Sequence, residues 1–170
     1  APGDTPPPGV SLMARLAVMA FAALCLGFHY VGQASWVPIL DSANLALHEA
    51  GHPLVGVFSN RLMVYGGTFF QLVFPLAVAR KFRKQGHVVG QAVAQVWLGE
   101  SLLNVARYMG DARAQVLPLV GGGEHDWTEI LARWGLLHAD TRLAGLLRFC
   151  ATLFIIAVCL RLARRRPPLK

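Results

Sequence analysis

His48-Glu49-Ala50-Gly51-His52 sets two imidazoles one helical turn apart, with a carboxylate between them. Residues at i and i+4 share a helix face, so both rings can bind one zinc ion. Glu49 then lies beside a metal-polarised water and can take its proton, the chemistry of metal-assisted amide hydrolysis. Gly51 leaves room for another backbone to come close.

A catalytic zinc needs a third protein ligand and one open position. His125, Asp111, Asp126 and Glu100 are the candidates. His125 is the first choice, because a neutral imidazole suits zinc and the preceding Gly121-Gly122-Gly123 lets its loop fold back. Asp111 is the second. Whichever of Asp126 and Asp111 is not a ligand, together with Asn104, can orient the ligands from outside. Asp126 can instead cap a helix over 128–137, and Glu100 can pair with Arg107.

The segment that carries the motif opens at Pro38 and ends near Phe58, with Asp41, Leu45, His48 and His52 at helical spacing. Its polar face has to point away from lipid. Pro53 removes a backbone donor just after the second histidine, so a full straight crossing is not expected and a re-entrant helix is preferred. Glu100, Asn104, Arg107 and Asp111 form a second polar stripe on a helix over 88–109.

The rest of the chain is apolar. Of its 170 residues 55% are hydrophobic and 15% charged, and mean hydropathy is +0.47, which excludes an ordinary soluble domain. Helices are expected over 12–31, 62–79 and 143–160 as well, the third starting at a flexible Gly66-Gly67-Thr68. The fold class is therefore all-α, a polytopic membrane bundle of four to five membrane helices.

Residues 1–10 read as a disordered lead-in, 11–166 as one membrane-embedded domain and 167–170 as the end of a basic tail. The first helix lacks a signal-peptide start and cleavage pattern and reads as a retained anchor. Net charge is +7, and nine of the 16 basic residues fall in Arg80–Lys84 and Arg161–Lys170, each directly after an apolar run. Such clusters anchor helices on the cytoplasmic side, which leaves the 112–141 loop extracytoplasmic and suggests an inner or plasma membrane. No aromatic or groove-reading element accompanies the charge, so nucleic acid is not an expected partner. Cys25, Cys150 and Cys159 give no disulfide framework.

His-Glu-x-Gly-His on an apolar helix of a small polytopic protein resembles the site-2 protease-like intramembrane zinc metallopeptidases. The likeness covers about residues 43–58 and the helix count. It implies zinc on His48 and His52, water activation by Glu49, and a third ligand from an aspartate in an Asn-Pro-Asp-Gly or Leu-Asp-Gly motif. This chain has Met109-Gly110-Asp111-Ala112, where glycine precedes the acid. Gly66-Gly67 would correspond to the family's substrate-approach element.

The expected function is cleavage of a membrane protein or peptide at or within the bilayer, with one zinc ion as cofactor. Two alternatives use the same residues: a non-catalytic metal-binding membrane protein in transport, assembly or scaffolding, and a zinc hydrolase of a lipid or other non-peptide substrate.

Overall fold

The computed structural model describes residues 9–31, 36–120 and 123–166, and among them it is all helical. Six α-helices follow in order: α1 (Leu12–Tyr30), α2 (Leu40–Gly56), α3 (Met63–Lys84), α4 (Val88–Gly110), α5 (Asp126–Arg133) and α6 (Asp140–Ala163), with a 3₁₀ turn at Leu137–Ala139. Residues 1–8 and 167–170, in the expected lead-in and tail, lie outside the described residues, as do Gly121 and Gly122.

Three segments are long and apolar enough to cross a membrane: Leu12–Tyr30, Met63–Lys84 and Leu137–Ala163. Their outward faces carry Leu16, Leu24, Phe69, Phe74, Leu153 and Leu160, all exposed. Exposed apolar surface on that scale belongs against lipid, and these helices mark a membrane protein. α4 has the length but carries Gln91, Gln95, Glu100, Ser101, Asn104 and Arg107, which lower its hydropathy. α2 is 17 residues long and more polar still.

α4 is the central helix. It packs antiparallel on α6, where Gly99 lies against Ile155 so closely that a Cβ would sit 2.4 Å from that side chain. Val18, Ala22 and Cys25 of α1 close the same core with Val96, Leu103, Ile155 and Val158. α1 reaches α4 and α6 at their midpoints: His29 Nε2 lies 3.3 Å from Glu100, and the Tyr30 hydroxyl 2.7 Å from that of Thr152.

One end of the bundle is basic. Arg15 of α1 donates to the Ala163 carbonyl of α6, Arg161 pairs with Gln95 of α4, and α3 delivers Arg80, Lys81, Arg83 and Lys84 to the same end through the short turn into α4. Basic side chains in the last turns of α3 and α6 also complement the helix dipoles. Val10 belongs to this end too. It is 2% exposed and its N–H donates to the Arg166 carbonyl at 2.9 Å, so this part of the expected disordered lead-in is ordered.

Several boundaries move. α3 runs through its basic cluster to Lys84, because arginine and lysine are good helix formers, and α6 gains three residues at each end. Gly66 and Gly67 lie inside α3 rather than at a flexible start. Pro53 is accommodated in the last turn of α2, which continues to Gly56.

Candidate metal centre

The end opposite the basic one holds the functional side chains. α2 runs antiparallel along α3, and the two backbones come together at glycine: a Cβ on Gly51 would lie 2.2 Å from the Gly66 carbonyl oxygen, and one on Gly67 would lie 2.5 Å from His48 Nε2. Only glycine permits this contact, which sets His48 directly against α3. The space that Gly66 and Gly67 were expected to offer a substrate strand is therefore filled by α2 itself, which corrects that expectation.

α5 closes the end from above. Trp127, Ile130 and Leu131 dock into a second apolar cluster with Val64, Val105, Met109 and Ala144, and the first residue of the helix, Asp126, is turned onto α2. Asp126 Oδ2 lies 2.8 Å from His48 Nε2 and 3.3 Å from His52 Nε2. The ligand atoms of these three residues lie within 4.8 Å of one another, a group that could hold a metal ion.

Hydrogen bonding fixes which atoms face inward. The Met63 carbonyl can only accept, so His52 Nδ1 donates to it at 3.0 Å and Nε2 is the nitrogen that faces Asp126. A longer chain does the same for His48. Asp41 accepts from Asn104 Nδ2 at 2.8 Å; Asn104 Oδ1 accepts from Gln71 Nε2 at 3.0 Å; Gln71 Oε1 is left to accept from His48 Nδ1 at 3.3 Å. The two Nε2 atoms thus converge on one carboxylate oxygen, to which each can donate when it carries a proton; with the protons displaced, two nitrogens and one oxygen form a donor set that suits zinc.

Burial raises the Asp126 carboxyl, but hydrogen bonding with His48 and His52 outweighs it and holds the group below the usual carboxylate range. It is ionised at neutral pH, as a ligand must be.

The first-choice third ligand, His125, is placed otherwise. Its Nδ1 accepts from Thr128 N at 3.3 Å as the N-cap of α5, the role expected of Asp126, so its lone pair is taken. Burial pushes its imidazole below the usual value, with Asp111 opposing. Nε2 faces Asp111 at 3.4 Å without a well-aligned hydrogen bond. Asp111 is no ligand of the group either: it accepts from Val116 N and Leu117 N at 3.0 and 3.1 Å and anchors the loop that follows α4. Arg113, two residues further on, pairs with Asp140.

Glu100 is fully buried at mid-bundle, where Asn44 Nδ2 donates to it at 2.7 Å beside His29, away from the metal group. Asn104 stands behind Gln71, two hydrogen bonds from His48, and orients that ring through it. No protein-family model, curated protein or solved structure matches this chain.

A cleft of about 160 Å³ opens beside the group. His48, Glu49, Asn104, Tyr108, Asp41, Gln71 and Arg107 form its polar wall, and Trp36, Leu45 and the loop residues Leu117 to Val120 its apolar one. Glu49 is half-buried there and faces the cleft from the position next to His48. Two members of the site were not anticipated. Gln71 could have been noticed as the one amide within the apolar run of α3; nothing in the sequence marks Tyr108.

Proposed function

We propose that this protein is a membrane-embedded zinc peptidase that cleaves peptide bonds at or within the bilayer. The observation that carries this reading is the convergence of His48 Nε2, His52 Nε2 and the Asp126 carboxylate next to a cleft that Glu49 lines. Three protein ligands leave a coordination position for water and substrate, the pattern of catalytic rather than structural sites.

A zinc ion held by these residues would polarise the scissile carbonyl and acidify a water. Glu49 takes the proton from that water as its oxygen bonds to the carbonyl carbon, and returns it to the nitrogen as the carbon–nitrogen bond breaks. Gln71 and Met63 hold the two imidazoles in the tautomer that keeps Nε2 available. Asp126 carries the negative charge that a dicationic metal requires. The apolar wall of the cleft favours an unfolded, hydrophobic stretch of substrate and keeps bulk water out.

The basic end lies in the cytoplasm by the positive-inside rule, which puts the metal centre toward the outer face of an inner or plasma membrane. α4 crosses as a fourth span, screened from lipid by α1, α3 and α6. α2 enters from the outer side only as far as the middle of the bundle, where Asn44 meets Glu100.

The test is Glu49→Gln in liposomes that also contain a library of single-span peptides, with cleavage read by mass spectrometry. We expect an unchanged zinc content and a loss of cleavage of about 100-fold or more. Equal cleavage by the variant excludes the mechanism.

A further inference from the structure

Tyr108 lies one helical turn beyond Asn104 on α4, and its ring fills the space between two histidines. Its centroid is 5.8 Å from that of His48, edge to face, and 4.2 Å from that of His125. Both contacts hold the ring in place, so the hydroxyl has a defined position. The oxygen accepts from the Asp126 backbone N–H at 3.2 Å, which brings it beside the third ligand, and the residue lines the cleft with Glu49.

Among the described residues the hydroxyl donates its proton to no acceptor, although one lone pair is engaged. A fixed O–H with an unused donor, on a residue that lines a cleft, is equipped to bind an oxygen atom of whatever enters. Of the other donors there, Asn104 Nδ2 is engaged with Asp41 and Gln71 Nε2 with Asn104, while Arg107 adds a guanidinium to the same lining. Removing a donor of this kind from a site where negative charge develops on oxygen typically costs about 100- to 1000-fold in rate.

Resting on the peptidase reading above, we infer that Tyr108 is a further catalytic residue: its hydroxyl donates a hydrogen bond to the substrate carbonyl oxygen as that oxygen takes up the electron pair displaced by the attacking water. No proton leaves Tyr108. The bond strengthens as charge builds and relaxes when the carbonyl re-forms, so Tyr108 acts on turnover while Glu49 moves the proton.

The experiment uses the full chain in detergent, loaded with cobalt(II), whose visible absorption reports ligand binding. An N-phosphoryl dipeptide is the probe, because its tetrahedral oxygens imitate the attacked carbonyl. Tyr108→Phe keeps the ring and should take up cobalt with wild-type affinity and an unaltered spectrum. It should bind the probe about 10- to 100-fold more weakly, the loss of one hydrogen bond to a charged oxygen. In the peptide-library assay it should lower kcat and leave KM unchanged.

Equal probe affinity in Tyr108→Phe overturns the assignment. So does a loss of cobalt in that variant, which would make Tyr108 a support for Asp126 instead. A wild-type protein that takes up no cobalt, or takes it up and ignores the probe, overturns it as well. A Glu49→Gln protein that still cleaves peptides refutes the base while the probe result for Tyr108 stands, so the two readings fail separately.

Discussion

His48 and His52 each turn Nε2 toward the same carboxylate oxygen, and that shared direction is a property of their hydrogen-bond partners as much as of their spacing. Spacing alone placed both rings on one face of a helix. It could not say which nitrogen each would present. The Met63 carbonyl and the Gln71 amide decide that, and only the folded chain brings them there. The third position shows the same limit: His125 and Asp126 are adjacent in sequence, and a choice between them depends on which one α5 uses as its cap. Asp126→Ala should lower zinc affinity by more than the roughly 10- to 100-fold typical of outer partners, whereas Gln71→Met should fall within that range. His125→Ala should keep one zinc per chain and cost about 1 kcal/mol of stability through loss of the cap. Isothermal titration and thermal melts in detergent check all three.

The extents of the elements were legible even where polar residues interrupt the hydrophobic runs, α2 falling within two residues of its expected range; how the helices pack was not. α1, α4 and α6 stand within a few residues of their expected ranges, since apolar periodicity controls them. α2 and α3 depend on one another, and their packing rests on small residues: Gly51 admits another backbone as its lack of a side chain implies, while Gly66 and Gly67 serve that contact rather than a flexible start or a substrate strand. Gly51 and Gly66 meet backbone to backbone, so Gly51→Ala or Gly66→Ala should separate the helices and destabilise the protein by about 3 kcal/mol, near the upper end for overpacking. The metal group should loosen with them. Gly27 of α1 has nothing within 4 Å of the position of a Cβ, and Gly27→Ala should be neutral or slightly stabilising. Denaturation midpoints of the three variants make the comparison.

At the scale of the whole molecule, the basic clusters and the chemistry lie at opposite ends, although Arg61, Arg113 and Arg133 lie at the metal-centre end. Arg15, the Arg80–Lys84 run and the Arg161–Arg166 run meet at one end, and His48, His52 and Asp126 lie in the other half. The two basic clusters could be found in the sequence because each follows an apolar run; that they share one end with Arg15 required the antiparallel pairing of α4 with α6 and the docking of α1. If the basic end is cytoplasmic, single cysteines at Arg83 and Glu124 should react with a membrane-impermeant maleimide from opposite sides of the membrane. Labelling of both from the same side would reverse the proposed arrangement.

Everything functional depends on the three converging ligand atoms. The most direct measurement is an anomalous-scattering crystal structure of the zinc-soaked protein at the zinc edge. We expect one peak about 2.0–2.2 Å from His48 Nε2, His52 Nε2 and an Asp126 oxygen, with a further position open toward the Glu49 cleft. A peak held by His125 and Asp111 instead, or no peak at the histidine pair, would contradict the metal centre and with it the proposed chemistry.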